Sequence, residues 1–227
     1  YTELLNPIRE YTGTHDLGFM INCSYGNALR LSPADTIQAV IVQTAGNLCS
    51  RFDEKIGCIR SWDFGYWNYP VIIDNMMNLE LFFKVSEMTG DPLYREIAMS
   101  HADKTIENHY REDYSTYHVV DYDDETGEVR RRCTAQGIAD ESRWARGQAW
   151  SIYGFTVAYR FTGEERYLKQ AENVADYLLV KEDNMPEDLI PLWDFDVVEF
   201  ANNEEEMTKL FNDKDAMLPY TETRDVS

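Results

Sequence analysis

Over residues 35–52, apolar side chains fall at Ile37, Val40, Ile41, Leu48 and Phe52, a spacing that lines one face of a helix, with Ser32 as its N-cap and Pro33 at the first helical position. A second apolar stripe, Met76, Leu79, Phe82 and Phe83, runs to a stop at Thr89-Gly90. Asp91-Pro92 then opens a third stripe through Tyr94, Ile97, Ala98 and Ile106. Two helices joined by so short a turn must lie antiparallel. The same pattern returns as Trp150, Tyr153, Val157 and Phe161, a stop at Thr162-Gly163, and Tyr167, Ala171, Val174, Ala175 and Leu178. Aligning residues 87–94 with 160–167 places a tyrosine four residues after the glycine in each copy. A repeated helical hairpin predicts an all-α solenoid or closed ring.

Between the two copies, residues 115–123 alternate as a strand does, Asp124-Glu125-Thr126-Gly127 supplies a turn, and residues 129–133 return. This predicts a small β-hairpin insertion, in the kind of long structured connection where function collects. Stacked hairpins need neighbours to cover their apolar faces, and residues 219–227 carry no helical pattern. The expectation is a single domain over residues 1–227 that forms the middle portion of a larger helical array.

Composition narrows the partners. The 227 residues are 44% hydrophobic, the range of globular proteins, and no stretch approaches the roughly 20 apolar residues that cross a bilayer. Residues 1–14 lack the layout of a signal peptide. A formal net charge of −20 argues against nucleic acid and anionic membranes as partners, and requires an acidic ligand to be drawn in by local donors. Cys23, Cys49, Cys58 and Cys133 match neither a CxxC pair nor a zinc knuckle, and read as mostly buried thiols with a Cys49–Cys58 disulfide left open. His15, His101, His109 and His118 show no metal-ligand spacing, so neither metal nor cofactor is expected. A soluble protein of cytoplasm or periplasm is expected, with oligomeric state open.

Three groups of residues carry candidate chemistry. Asp74 lies in the apolar run Val71-Ile72-Ile73-Asp74-Asn75-Met76-Met77, either as a helix N-cap or as an acid whose pKa is raised by desolvation. His15-Asp16 sits in a glycine-bounded loop, either as a loop hydrogen-bond pair or as part of a site. Gln136 and the segment Asp140-Glu141-Ser142-Arg143-Trp144-Ala145-Arg146-Gly147-Gln148-Ala149-Trp150 combine the aromatic faces, amides and guanidinium groups that bind sugars. Helical spacing reads Trp150 as core and leaves Trp144 undecided. Trp62 and Trp67, in an aromatic loop, are similar cases.

The segments His15-Asp16-Leu17-Gly18-Phe19, Val71 to Leu79 and Trp144 to Trp150 together resemble unsaturated glucuronyl hydrolases, glycoside hydrolase family 88. Tyr117-His118, Thr134-Ala135-Gln136-Gly137 and Trp193-Asp194-Phe195-Asp196 are similar to the family as well. The resemblance implies an (α/α)6 barrel, here incomplete, and no cofactor. It implies catalytic roles for Asp74 and Asp16, and substrate contacts from His15, Trp62, His118, Gln136, Trp144, Arg146 and Trp150. The implied partner is an unsaturated uronyl oligosaccharide, whose C4=C5 bond is hydrated after protonation at C4 by Asp74. Rival readings are a rhamnogalacturonyl-type hydrolase or a conventional glycosidase on the same barrel, and an inert helical scaffold that binds sugar or protein.

Overall fold

The computed structural model describes residues 2–180 and 185–203. The 219–227 segment lies outside them. After a 3-10 helix at Thr2–Glu10 come α1 (Leu17–Ile21), a π-helical turn (Asn22–Gly26) and α2 (Asn27–Leu31), which run on directly from one another. Helix α3 spans Asp35–Cys49. Its start differs from the sequence expectation: Ala34 occupies the N-cap in an extended conformation, while Ser32 closes α2. The chain then makes a short ribbon, β1 (Phe52–Asp53) with β2 (Cys58–Ile59), so Phe52 belongs to a strand and not to the helix.

Two helical hairpins follow, α4 (Leu79–Thr89) with α5 (Pro92–Asn108), and α6 (Ala145–Thr162) with α7 (Glu165–Val180). Their likeness extends to single atoms. Gly90 and Gly163 end their helices at φ 73° and 72°, the left-handed region that favours glycine. Thr89 and Thr162 each donate a hydroxyl to the carbonyl four residues back (2.7 and 2.6 Å) and accept the N–H two residues on (3.2 and 3.1 Å). The repeated tyrosines then fold back on a phenylalanine of the preceding helix, Tyr94 on Phe82 and Tyr167 on Phe155, each with centroids 6.1 Å apart. Asp91 caps α5 by accepting from the Leu93 N–H (3.0 Å), with Pro92 at the first helical position.

Helices α1, α4 and α6 touch in turn, and their inner faces share one core that includes Ile21, Leu48, Met76, Leu79, Phe82, Phe83 and Phe155. The predicted hairpin exists as β4 (Val119–Tyr122) and β5 (Val129–Cys133), and it recruits a third strand, β3 (Tyr69–Ile72), that helical patterning had absorbed into an apolar run. The order is β3-β4-β5, antiparallel throughout. Residues buried on both faces give a strand no alternation to reveal it, and all four residues of β3 are buried. Met76, read as helical, lies in a 3-10 turn, Ile73–Asn78, between β3 and α4.

The four cysteines are free thiols: Cys58 and Cys133 are buried, Cys49 is half-buried and Cys23 is exposed. The expectation of mostly buried thiols fails at Cys23, and no disulfide joins Cys49 to Cys58. Among the described residues no helix is long and apolar enough to cross a membrane. A short helix, α8 (Val197–Ala201), follows a segment that returns to the start of α6, where the Asp194 carboxylate accepts from Ser142 Oγ (2.6 Å) and the Ile138 N–H (3.1 Å).

Helix α6 lies directly against the 3-10 turn. At Gly154 an added Cβ would stand 2.4 Å from Met76 Cβ and 3.0 Å from the Met76 carbonyl oxygen, so only glycine permits this approach. Gly154→Ala is expected to lower stability by about 1–3 kcal/mol through overpacking. Urea unfolding should show a lower midpoint with an unchanged slope.

Candidate functional site

The three strands of the β3-β4-β5 sheet bring the candidate groups together at one end. Ile72, Val119 and Cys133 are partners in a single cross-strand row. Two residues beyond Ile72 comes Asp74, immediately before Val119 comes His118, and just after Cys133 come Thr134, Ala135 and Gln136. The Ile73 N–H donates to the His118 carbonyl (3.0 Å), carrying the ladder one residue past the strands and fixing Asp74 beside His118. Asp74 is thus no N-cap. It occupies the first turn of the 3-10 helix, whose N-cap position is Ile72.

Asp74 is 8% exposed, between Ile73 and Met76, which are fully buried. Burial is the main cause that pushes its carboxyl up to about 7, helped by the charge of Asp16; its own backbone N–H, Arg146 and the Trp150 side chain act in the opposite sense. His118 shows the complementary effect. Its ring is pushed down to about 3, chiefly by burial and then by His109, Arg146 and His15, so it is neutral. Its Nδ1 accepts from the backbone N–H groups of Ala135 (3.0 Å) and Gln136 (3.1 Å). The proton therefore sits on Nε2, which lies 3.8 Å from Asp74 Oδ2. This is a neutral donor directed at a carboxyl group, not an ion pair, and it is longer than a hydrogen bond.

Arg146 and Gln136 meet on the open side, with Arg146 Nη2 donating to Gln136 Oε1 (3.2 Å). The guanidinium also lies 4.8 Å from the centroid of the Trp144 ring, which in turn sits 4.4 Å from the His118 ring. Trp144, undecided from sequence, is 3% exposed and holds His118 in place, whereas Trp150, read as core, is only half-buried. Trp150 packs its edge against Phe19 (5.1 Å) and Tyr153 (5.9 Å). Position along α6 decides this: the helix turns its first residues toward the sheet, and Trp150 faces the turn that bears Asp74.

His15 is buried at the entry to α1, with Nδ1 donating to the Ser61 carbonyl (2.8 Å) and Nε2 3.2 Å from Asp16 Oδ1. Burial lowers its pKa, with the Asp16 charge opposing. Asp16 is half-exposed and its Oδ2 accepts from Thr14 Oγ1 (3.0 Å). Trp62 packs with Trp67 on the Ile72-Val119-Cys133 row, beside Ser61, whose carbonyl holds His15.

Sequence reasoning missed the residues that hold these groups. Ser61 presents its carbonyl to His15 while its hydroxyl accepts from the Ile72 N–H (2.9 Å) and Asn75 Nδ2 (3.2 Å). Thr134 Oγ1 accepts from the Gly137 N–H (2.7 Å) and shapes the loop that donates to His118. Asp194 and Asp196 anchor the segment before α6, Asp196 through a two-pronged pairing with Arg143. For Asp194 and Asp196 the Trp193-Asp194-Phe195-Asp196 motif was a signal, and for Thr134 the Thr134-Ala135-Gln136-Gly137 motif; Ser61, a lone serine, offers none.

Comparison with known proteins places the chain in one family. The profile of Glycosyl Hydrolase Family 88 matches residues 55–194. The chain is 43% identical over 205 residues to an unsaturated glucuronyl hydrolase of Formosa agariphila, covering 89% of this chain and 51% of that protein. It is 37% identical to an unsaturated chondroitin disaccharide hydrolase of Streptococcus agalactiae, covering 79% of this chain and 45% of that protein. The crystal structure of an unsaturated glucuronyl hydrolase specific for heparin superposes with a TM-score of 0.84 at 47% identity, over 86% of this chain and 52% of that one. The chain thus spans about half the length of the curated relatives it matches. The architecture is the expected all-helical (α/α)6 barrel, incomplete here and carrying a small sheet. By sequence, fold and the order of its motifs, this chain belongs to glycoside hydrolase family 88.

Proposed function

We propose that the protein releases the 4,5-unsaturated uronic acid from the non-reducing end of lyase-generated oligosaccharides, by hydrating the C4=C5 double bond. The observation that carries the reading is a carboxyl group, Asp74, whose burial pushes it up to about 7, so that a large fraction keeps its proton near neutral pH, with a neutral histidine beside it. The C4=C5 bond of such a substrate is an enol ether conjugated to the uronic carboxylate, and it accepts a proton at carbon. Asp74 holds the proton for this step, and His118 Nε2–H lies 3.8 Å from its Oδ2. Asp74 gives that proton to C4, leaving positive charge shared by C5 and the ring oxygen. The resulting carboxylate accepts a proton from water as water adds to C5. The hemiketal formed at C5 opens and expels the neighbouring sugar.

The surrounding groups fit this chemistry. Arg146, oriented by Gln136 and by the Trp144 face, supplies a guanidinium for the substrate carboxylate, and His118 adds a second donor. The Asp16 charge disfavours ionisation of Asp74, and with His15 offers a hydrogen-bonding edge for sugar hydroxyls. Trp150 and Trp62 supply aromatic faces. Relatives that include a chondroitin disaccharide hydrolase and a hydrolase specific for heparin support glycosaminoglycan fragments as the first substrates to try.

Absorbance of the conjugated double bond should fall when the protein is incubated with an unsaturated chondroitin disaccharide, and Asp74→Asn should reduce that rate at least 1000-fold, given that it removes the only proton donor to carbon in the mechanism (~10²–10⁴ for general acid–base catalysis alone). Turnover by Asp74→Asn, or wild-type cleavage of saturated uronides at equal rate, would remove the hydration reading. The same residue has a thermodynamic signature. Its folded pKa, about 7, exceeds the unfolded value of 3.8, so the folded state binds the extra proton between these pH values. Wild type should therefore lose stability relative to Asp74→Asn as pH rises from 4 to above 7, by up to about 4 kcal/mol. Paired urea titrations at pH 4.5 and 8 measure this, and a gap that does not change with pH would place the Asp74 pKa at its ordinary value.

A further inference from the structure

The loop after Ser61 carries four aromatic residues in six positions, and packing accounts for only two of them. Trp62 and Trp67 rest on the Ile72-Val119-Cys133 row. Phe64 and Tyr66 are 72% and 73% exposed, yet both are held in register by their neighbours. Phe64 stacks on Trp62 (5.7 Å, 21°) and Tyr66 stacks on Trp67 (4.9 Å, 21°), while the two tryptophans meet edge to face at 5.5 Å. The Arg131 guanidinium covers this assembly, 4.7 Å from the Tyr66 centroid and 4.6 Å from that of Trp67.

The charge at this place is opposite to that of the chain as a whole. Arg131 Nε lies 3.5 Å from Asp121 Oδ2, and Arg130 Nη1 lies 3.3 Å from the same oxygen. Asp121 is fully buried, and its other oxygen already accepts from the Asn68 and Tyr69 N–H groups at 3.0 Å. One carboxylate thus faces two partly exposed guanidinium groups, leaving net positive charge beside exposed aromatic faces in a chain of formal charge −20. An anion approaching this protein meets local attraction here against the overall field.

The location is continuous with the candidate site. Arg131 lies on the same sheet face as Cys133, two residues or roughly 7 Å earlier along β5, and Cys133 leads straight into the loop that holds His118 and Gln136. Trp62 follows Ser61, whose carbonyl holds His15. Aromatic faces that stack on sugar C–H surfaces, with a guanidinium that grips a sulfate or carboxylate, are the chemistry of an anionic-sugar subsite. We propose that Phe64, Tyr66, Trp67 and Arg131, entered past Trp62, form an outer subsite that binds an anionic sugar residue of lyase products longer than a disaccharide. The proposal rests on the hydrolase reading above and extends it to chain-length selection.

The test compares unsaturated chondroitin tetrasaccharides, sulfated and unsulfated, with the corresponding disaccharides, using the full-length protein and its Tyr66→Ala, Arg131→Gln and Arg131→Lys variants. Wild type should favour the tetrasaccharides. Tyr66→Ala and Arg131→Gln should each lower the tetrasaccharide-to-disaccharide ratio of kcat/KM about tenfold, the size of one charged contact, with the change in KM and not kcat. Arg131→Lys should fall between. A loss confined to sulfated tetrasaccharides assigns the anion as sulfate, and an equal loss on both assigns it as the uronate carboxylate. Ratios unchanged in folded Tyr66→Ala and Arg131→Gln proteins would overturn the proposal. So would a wild-type dimer in sedimentation that Tyr66→Ala dissociates, since the patch would then join two copies of the chain. If no unsaturated substrate is cleaved, the hydrolase reading fails separately. Calorimetry of tetrasaccharide binding to Asp74→Asn, with and without Arg131→Gln, then decides the subsite: tenfold weaker binding supports it, and equal or absent binding overturns it.

Discussion

The cross-strand row Ile72-Val119-Cys133 is the constraint on which the site depends. Asp74, His118 and the Thr134-Gln136 loop come from three segments far apart in sequence, and each stands within a few residues of a member of that row. Strand pairing has a strict period of two, so a slip of one residue in any strand would turn its side chains to the opposite face and separate the carboxyl from its histidine. The Ile73 N–H to His118 carbonyl bond locks the register at the point where the ladder gives way to the 3-10 turn. The helices supply the walls, but the sheet sets the distance between the carboxyl and the imidazole.

Burial then turns that placement into chemistry. The same dry surroundings push the Asp74 carboxyl up to about 7 and the His118 ring down, so near neutral pH a large fraction of Asp74 keeps its proton while the imidazole is uncharged. An ion pair at this spot would hold Asp74 as carboxylate. Two backbone N–H groups on His118 Nδ1 settle which nitrogen carries the proton, a choice no side-chain inventory could make. The half-exposed Asp16, at the N-cap of α1, adds its charge to the effect of burial in raising the Asp74 pKa.

The close approach of α6 to the Asp74 turn makes the burial possible. Gly154 lets the helix settle onto Met76, and Trp144 at the helix start fills the space beside His118. Asp194 and Asp196 return from beyond α7 to pin the segment that leads into this helix. Packing, capping and polar satisfaction therefore act on the same few residues. That concentration is why the pocket can keep a carboxyl and an imidazole away from water.

The repeated hairpins were legible from the chain itself because each carries its own signals: a 3.6-residue apolar stripe, a glycine stop, and a tyrosine that returns to pack on a phenylalanine eight residues before that glycine. The motifs around His15, Asp74 and Trp144 were legible as a family resemblance. Local pattern could not show β3, because a strand buried on both faces has no alternation to distinguish it from a helix segment. Nor could it show that Trp144 is the buried tryptophan and Trp150 the accessible one, since their exposures depend on what α6 meets at each turn. Sequence determined which elements form and which residue types are available for chemistry. Only the tertiary structure decided their protonation, because desolvation and hydrogen-bond geometry are properties of the assembled surroundings and of no residue alone.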